Sequence, residues 1–173
     1  MTLFTTERLY VRKLVPEDAP FLLALFNAPN WLQYLGDRNI KTMEAARTYL
    51  EEVYIKGYEE NGYGAWLVIL NDGGAPIGLC GLFKRSYLDQ PDLGYSFLPE
   101  YEGKGYAFEA ASGTLAYALD SLKMTELLAI VSEGNQRSKR LLEKLGFSFK
   151  ELVSPPEENR TLQLFSVGSS DQT

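Results

Sequence analysis

Residues 93–111 read Leu93-Gly94-Tyr95-Ser96-Phe97-Leu98-Pro99-Glu100-Tyr101-Glu102-Gly103-Lys104-Gly105-Tyr106-Ala107-Phe108-Glu109-Ala110-Ala111, and the order of signals within them decides the fold. Leu93 to Phe97 predicts a strand. Gly103 and Gly105 make a tight turn, and Phe108, Ala111, Leu115, Leu119 and Leu122 form one apolar face of a helix over Tyr106 to Leu122. A glycine-rich turn between a strand and a helix start suits an anion. The first helical turn leaves backbone N–H groups unpaired, the helix dipole favours negative charge, and glycines let phosphate oxygens approach the backbone. The same glycines also serve a tight turn that binds nothing. A dinucleotide fingerprint would need a third glycine where Phe108 stands, and no Walker A run occurs.

Upstream, Arg8 to Leu14 alternates as a half-buried strand. Asp18 is placed to cap a helix with Pro20 in its first turn, which runs through Leu22 to Phe26 and ends before Ala28-Pro29-Asn30. A short helix follows over Trp31 to Leu35, and Thr42 caps a longer one that reaches Gly62. Trp66 to Leu70 and Ile77 to Phe83 are strands joined by a hairpin turn at Asp72-Gly73-Gly74. Downstream, Leu127 to Val131 is a strand, and Asn135 caps a helix from Gln136 to Leu145 that stops at Gly146. Phe147 to Leu152 and Leu162 to Val167 close the chain as strands joined through Pro155-Pro156. Strands interleaved with helices predict an α/β (α+β) fold, a mixed sheet covered by helices.

The 173 residues, 45% of them hydrophobic, suit one domain over 1–173, with the polar end 168–173 expected to fray as a flexible tail. Seventeen basic against 23 acidic residues give a net charge of −6, which disfavours nucleic acid or an anionic membrane as partner and favours a basic one. No apolar run approaches the roughly 20 residues of a spanning helix, and the N-terminus lacks a signal-peptide layout, so a soluble, cytoplasmic protein is expected. The single cysteine, Cys80, forbids an internal disulfide and reads as a small core residue. Histidine is absent, which excludes Ser-His-Asp and Cys-His nucleophile schemes and most catalytic zinc sites; no metal is expected. Proton transfer falls to carboxylates, tyrosine, serine, lysine or water.

Four segments together carry a resemblance: Leu93 to Glu100, Glu102 to Ala111, Asn135-Gln136-Arg137-Ser138, and Leu141-Leu142-Glu143-Lys144-Leu145-Gly146-Phe147. With the opening Thr6-Glu7-Arg8-Leu9, they resemble the GNAT superfamily of N-acetyltransferases, in the branch similar to the ribosomal-protein N-terminal acetyltransferases RimJ and RimL. The resemblance spans nearly the whole chain. It implies the GNAT fold, a mostly antiparallel sheet of about seven strands with splayed central strands, and acetyl-coenzyme A as cosubstrate.

By the same resemblance, the coenzyme lies against Glu102, Gly103, Lys104, Gly105, Tyr106 and Ala107. Its pantetheine arm pairs with the backbone around Phe97 and Leu98, whose N–H groups also hold the oxyanion, so Leu98 enters the catalytic set. The family's signature is Gln or Arg, two residues, Gly, one residue, then Gly or Ala. Gly105 and Ala107 match it. Glu102 departs from it, placing a carboxylate where a cation or amide is usual; an outward turn of that side chain, or Lys104, would compensate.

Helical spacing puts Ser138 on one stripe with Leu141, Leu142 and Leu145, so its hydroxyl points inward and needs a partner, either the preceding turn or cap, or a ligand. The branch resembled places this serine near the coenzyme sulfur as proton donor, and Asn135 against the pantetheine. Many other members use a tyrosine as the acid, at the position where Leu142 stands here. For the base, Asp92, Glu100 and Tyr101 lie near the relevant strand end, and each also reads as a solvated turn residue; Asp92 is taken as the catalytic candidate. Glu109, in the first helical turn, is explained by the helix dipole. Trp31 and Tyr34 fall in the segment that family members place over the acceptor cleft, and they read equally as core aromatics.

The expected acceptor is a basic protein N-terminus or a small primary amine. An α-amine is about one-tenth neutral at pH 7, against about one lysine in a few thousand, so it needs less help from a base. The alternatives are acetylation of lysine or another side-chain amine, and a non-catalytic module that senses acyl-coenzyme A. The expected state is monomer or homodimer.

Overall fold

The computed structural model describes residues 1–168, and 169–173 of the expected tail lie outside the described residues. Its strands are β1 (Thr2–Thr5), β2 (Leu9–Lys13), β3 (Ala65–Leu70), β4 (Pro76–Phe83), β5 (Asp92–Phe97), β6 (Glu126–Ser132), β7 (Ser148–Val153) and β8 (Leu162–Gly168). They form a single sheet in the order β1-β2-β3-β4-β5-β6-β8-β7. Helices α1 (Ala19–Phe26), α2 (Pro29–Tyr34), α3 (Met43–Tyr49), α4 (Lys56–Asn61), α5 (Tyr106–Ala116) and α6 (Gln136–Lys144) cover its faces. The mixed, mostly antiparallel sheet flanked by helices is the architecture the sequence implied, with one strand more.

β3 shows why the run Trp66 to Leu70 has no polar alternation. Trp66 and Val68 pack with Ala110, Ala111 and Leu115 of α5 on one face, while Ala65, Leu67 and Ile69 pack with Leu22, Leu25 and Ala46 of α1 and α3 on the other. A strand buried on both sides gains from apolar residues at every position. Thr42 caps α3 by accepting the Ala45 N–H at 3.1 Å, and Gly62, at φ +79°, ends α4 in the left-handed conformation. Between them Leu50–Ile55 winds as a wider π-type turn, so 43–61 is one helical stretch.

Three local expectations are corrected. The four-residue edge strand β1 was not anticipated. Asp18 does not cap α1; its carboxylate accepts from the Val15 N–H at 2.8 Å and from the Arg12 guanidinium at 2.9 and 3.0 Å. The α5 stripe is Ala110, Ala111, Thr114 and Leu115, continued by Ala118, with Phe108 and Leu119 only partly buried, because small side chains let the helix axis lie close to β4 and β5. Cys80, fully buried beneath it, is 3.2 Å from the Thr114 hydroxyl, and burial pushes its thiol up to about 12, which fits the core role expected of it.

One junction positions everything that follows. Neighbouring strands are antiparallel throughout except β5 and β6, which run parallel and meet at a single pair, Asp92 with Leu128, before they separate. The Leu98 N–H donates to the Ile77 carbonyl of β4 at 3.0 Å. Antiparallel pairing alternates, so the amides of Tyr95 and Phe97 point the other way, into the gap between β5 and β6.

Candidate active site

The turn after β5 has the conformation its glycines allow. Gly103 and Gly105 sit at φ +76° and +84°, the left-handed region, and Gly105 is the residue from which α5 starts. Arg8 braces the turn from the β1–β2 connection: its Nη1 donates to the Lys104 carbonyl at 3.0 Å and its guanidinium lies 4.3 Å from the centre of the Tyr106 ring. Glu109, one turn into α5, accepts from the Thr6 hydroxyl at 2.5 Å and from the Arg8 backbone and Nε at 2.7 Å each. Its role is therefore more specific than a response to the helix dipole. It fastens the helix start to the β1–β2 turn.

A cavity of about 650 Å³ opens beside this turn, at the splay. Of the residues expected to hold a coenzyme, Phe97, Glu102, Gly103, Gly105, Ala107, Asn135 and Ser138 line it, whereas Leu98, Lys104 and Tyr106 do not. The Leu98 N–H is already bonded to Ile77, so it is corrected as an oxyanion donor, and the Phe97 and Tyr95 amides are the ones that face the gap. Glu102 turns its carboxylate toward Asn30 Nδ2 at 3.1 Å and Arg137 Nη1 at 3.7 Å. Arg137, Arg140 and Lys144 of α6 also line the cavity, whereas Lys104 does not. Asn30 also donates to the Phe97 carbonyl at 2.8 Å, and its buried Oδ1 has no partner among the described residues. Glycines that admit a backbone-bound phosphate, three cations opposite them, strand amides in the gap and an unpaired buried acceptor fit an acyl-coenzyme A thioester.

Asn135 caps α6 through its Oδ1, which accepts the Ser138 N–H at 3.2 Å. The Ser138 hydroxyl finds its partner neither in that cap nor in the preceding turn. It is hydrogen-bonded to the Tyr95 hydroxyl of β5 at 2.9 Å. Burial pushes the Tyr95 phenol above its ordinary pKa, the Ser138 bond drawing it partway back, so it stays protonated through neutral pH. Leu142, where the resemblance implied a tyrosine in many members, packs in the core. A phenol is nonetheless present, supplied from the neighbouring strand. Tyr95 was missed as a site residue, although its place on one strand face with Leu93 and Phe97 already pointed a phenol inward.

A second cavity, of about 230 Å³, lies on the other side of this pair. Trp31 and Tyr34 line it, with Arg38, Arg85, Asp92 and Arg160. Trp31 packs against Phe26, ring centres 4.7 Å apart, and is also among the residues that line the cavity. Asp92 is not a solvated turn residue: it is 1% exposed and accepts from Arg85 Nε at 2.7 Å. Burial raises its pKa above the ordinary aspartate range, the Arg85 charge and hydrogen bond offsetting part of that. The two cavities share a wall made of Tyr34, Leu35, Tyr95, Ser96, Asn135 and Ser138. Glu100 and Tyr101 form the turn after β5 and line only the larger side, through Tyr101. Among the described residues no group of three or more His, Cys, Asp or Glu side chains could hold a metal ion, and no helix is long and apolar enough to cross a membrane.

Known proteins share this architecture. The family described as Acetyltransferase (GNAT) domain matches residues 8–148. The uncharacterized protein YkkB of Bacillus subtilis is 30% identical over 157 residues, covering 88% of each chain. YoaA of the same organism, an uncharacterized N-acetyltransferase, is 28% identical over 82% of this chain and 80% of its own. The spermidine N(1)-acetyltransferase of Escherichia coli is 26% identical over 80% of this chain and 72% of its own. Among solved structures, the ribosomal-protein-S5-alanine acetyltransferase of Vibrio fischeri superposes with a TM-score of 0.81 at 19% identity, over 100% of this chain and 99% of that one. RimL, a ribosomal L7/L12 alpha-N-protein acetyltransferase solved with coenzyme A, gives 0.81 at 14% identity over 97% and 98%.

Proposed function

The chain belongs to the GNAT acetyltransferase family and is an N-acetyltransferase, and from that premise we propose that it acts as a RimJ/RimL-like enzyme. In this reading a primary amine attacks the thioester of acetyl-coenzyme A directly, without a covalent enzyme intermediate. The observation that carries it is the shared wall. A cavity that fits the coenzyme and a cavity for the acceptor meet at the wall that includes Tyr95, Asn135 and Ser138, so a thioester in one and an amine in the other can touch across it.

Acetyl-coenzyme A supplies the activated acyl group; the remaining work falls to this chain. The Phe97 amide faces the gap and stabilises negative charge on the carbonyl oxygen as the amine adds. Ser138 protonates the leaving sulfur, Tyr95, hydrogen-bonded to it and held protonated by burial, replaces that proton, and the proton that the nitrogen sheds as it becomes an amide restores Tyr95. Asp92, the carboxylate that lines the acceptor cavity, receives a proton from the incoming ammonium; its raised pKa makes it a better acceptor than a free aspartate. An α-amine asks least of such a base, which favours a protein N-terminus or a small molecule bearing one.

The test is thiol release from acetyl-coenzyme A with a peptide that has a free N-terminus and an internal lysine, against the same peptide with its N-terminus blocked. The expected result is modification of the α-amine alone. Equal reaction of the blocked peptide with an unmodified α-amine would make this a side-chain amine acetyltransferase. Coenzyme binding without thiol release from any amine would leave a sensor module.

A further inference from the structure

We propose that the acceptor carries a carboxylate beside its amine, and that Arg38 selects it; this rests on the acyl-transfer reading of the shared wall. Three guanidinium groups, of Arg38, Arg85 and Arg160, line the acceptor cavity against one carboxylate, Asp92. Two of the three are engaged: Arg85 with Asp92 at 2.7 Å, and Arg160 Nη2 with Glu158 at 3.1 Å. Arg38 has no carboxylate partner among the described residues. Its guanidinium lies 5.0 Å from the ring centre of Trp31 and 5.6 Å from those of Phe26 and Tyr49, and its Nη1 donates to the Tyr49 hydroxyl at 3.0 Å.

Rings and a neutral hydroxyl hold this guanidinium in place without cancelling its charge. The rest of its planar N–H fork stays available to a ligand. A guanidinium held this way repels a polycation and pairs with a carboxylate through two parallel hydrogen bonds. The sign is opposite to that of the whole chain, whose net charge is −6. Inside the cavity the near charge governs, because surface charges beyond about 8–10 Å are screened at ordinary salt. Arg38 thus presents a carboxylate site within the cavity that takes the amine, the complement of an acceptor that carries both groups.

The test uses dipeptides with a free α-amine, each as the C-terminal acid and as the C-terminal amide, with a linear polyamine as a third arm. We expect kcat/KM to favour the acid about tenfold or more, chiefly through KM, as a charge-assisted bidentate pair would give. Arg38→Gln should bring the acid-to-amide ratio near one, and Arg38→Lys, which keeps the charge but not the fork, should retain an intermediate ratio. Amide or polyamine used as well as the acid by the unaltered protein, or a ratio unchanged in Arg38→Gln, would overturn the proposal. A calorimetric arm separates this from failure of acyl transfer itself. The N-acetyl dipeptide acid and amide are titrated into the protein loaded with coenzyme A. Should no amine release thiol, the transferase reading falls, and the titration still decides this one: tighter binding of the acid, lost in Arg38→Gln, supports it, while equal affinity refutes it.

Discussion

At Ser138 a hydroxyl on an apolar helix stripe meets a phenol from the neighbouring strand at 2.9 Å, and each accounts for the other's position. Replacing either leaves a part-buried hydroxyl without its mate. If the pair passes a proton to the leaving sulfur, Ser138→Ala should lower kcat by about ten- to a hundredfold with coenzyme affinity nearly intact, and adding Tyr95→Phe should cost little more, as expected of groups that act in series. Stopped-flow thiol release and calorimetry check both halves. Unchanged turnover in Ser138→Ala would reduce the pair to a tie between β5 and α6. The serine was legible because helical spacing alone turned it inward; its partner was not, since contact across 43 positions depends on how β5 and α6 are set against each other. Leu98 was misread for a related reason. Alternation along one strand tells which residues share a face, but the neighbour that each amide faces is fixed only when pairing with β4 sets the phase. Arg38 stands in a loop with no periodicity to mark it.

The start of α5 combines a left-handed glycine with a helix end, and the two cannot be varied separately. Gly105 sits at φ +84°, and a Cβ there would lie 3.3 Å from Arg8 Nη2, on the same guanidinium whose Nη1 braces the Lys104 carbonyl. Gly105→Val should therefore carry about 1–2 kcal/mol of backbone strain and displace the brace, abolishing acetyl-coenzyme A binding while circular dichroism still reports a folded sheet. A folded variant that kept its affinity would remove the turn from the cofactor site. Elements with strong local signals were legible here: the Thr42 cap, the Gly62 stop, the Asp72-Gly73-Gly74 turn. The edge strand β1 was too short to show a period, and the buried face of α5 was misjudged because its contact residues are small. Close approach to a sheet rewards alanine, which hydropathy patterns undervalue.

Across the whole molecule, Glu109 links the β1–β2 turn to the helix that covers the sheet. Burial by itself would raise its pKa, but bonds from Thr6 and Arg8 and the Arg8 charge prevail and hold it below the ordinary glutamate value. A lowered folded-state pKa means stability that is present above the unfolded value and is lost as pH falls through the folded one. Glu109→Gln should accordingly melt at lower temperature at pH 7, with the difference from the unaltered protein shrinking as pH drops below the glutamate range. Thermal melts between pH 3 and 7 check this; a difference independent of pH would refute it. The union of β5 and β6 at the single pair Asp92 and Leu128 has a wider consequence. Mechanically the molecule is two plates, one of five strands and one of three, hinged at a corner. A ligand laid into the wedge and paired with the amides of Tyr95 and Phe97 splints the plates together and stabilises the fold by mass action. Resistance to proteolysis should then rise with the concentration of acyl donor, which limited proteolysis with and without acetyl-coenzyme A checks.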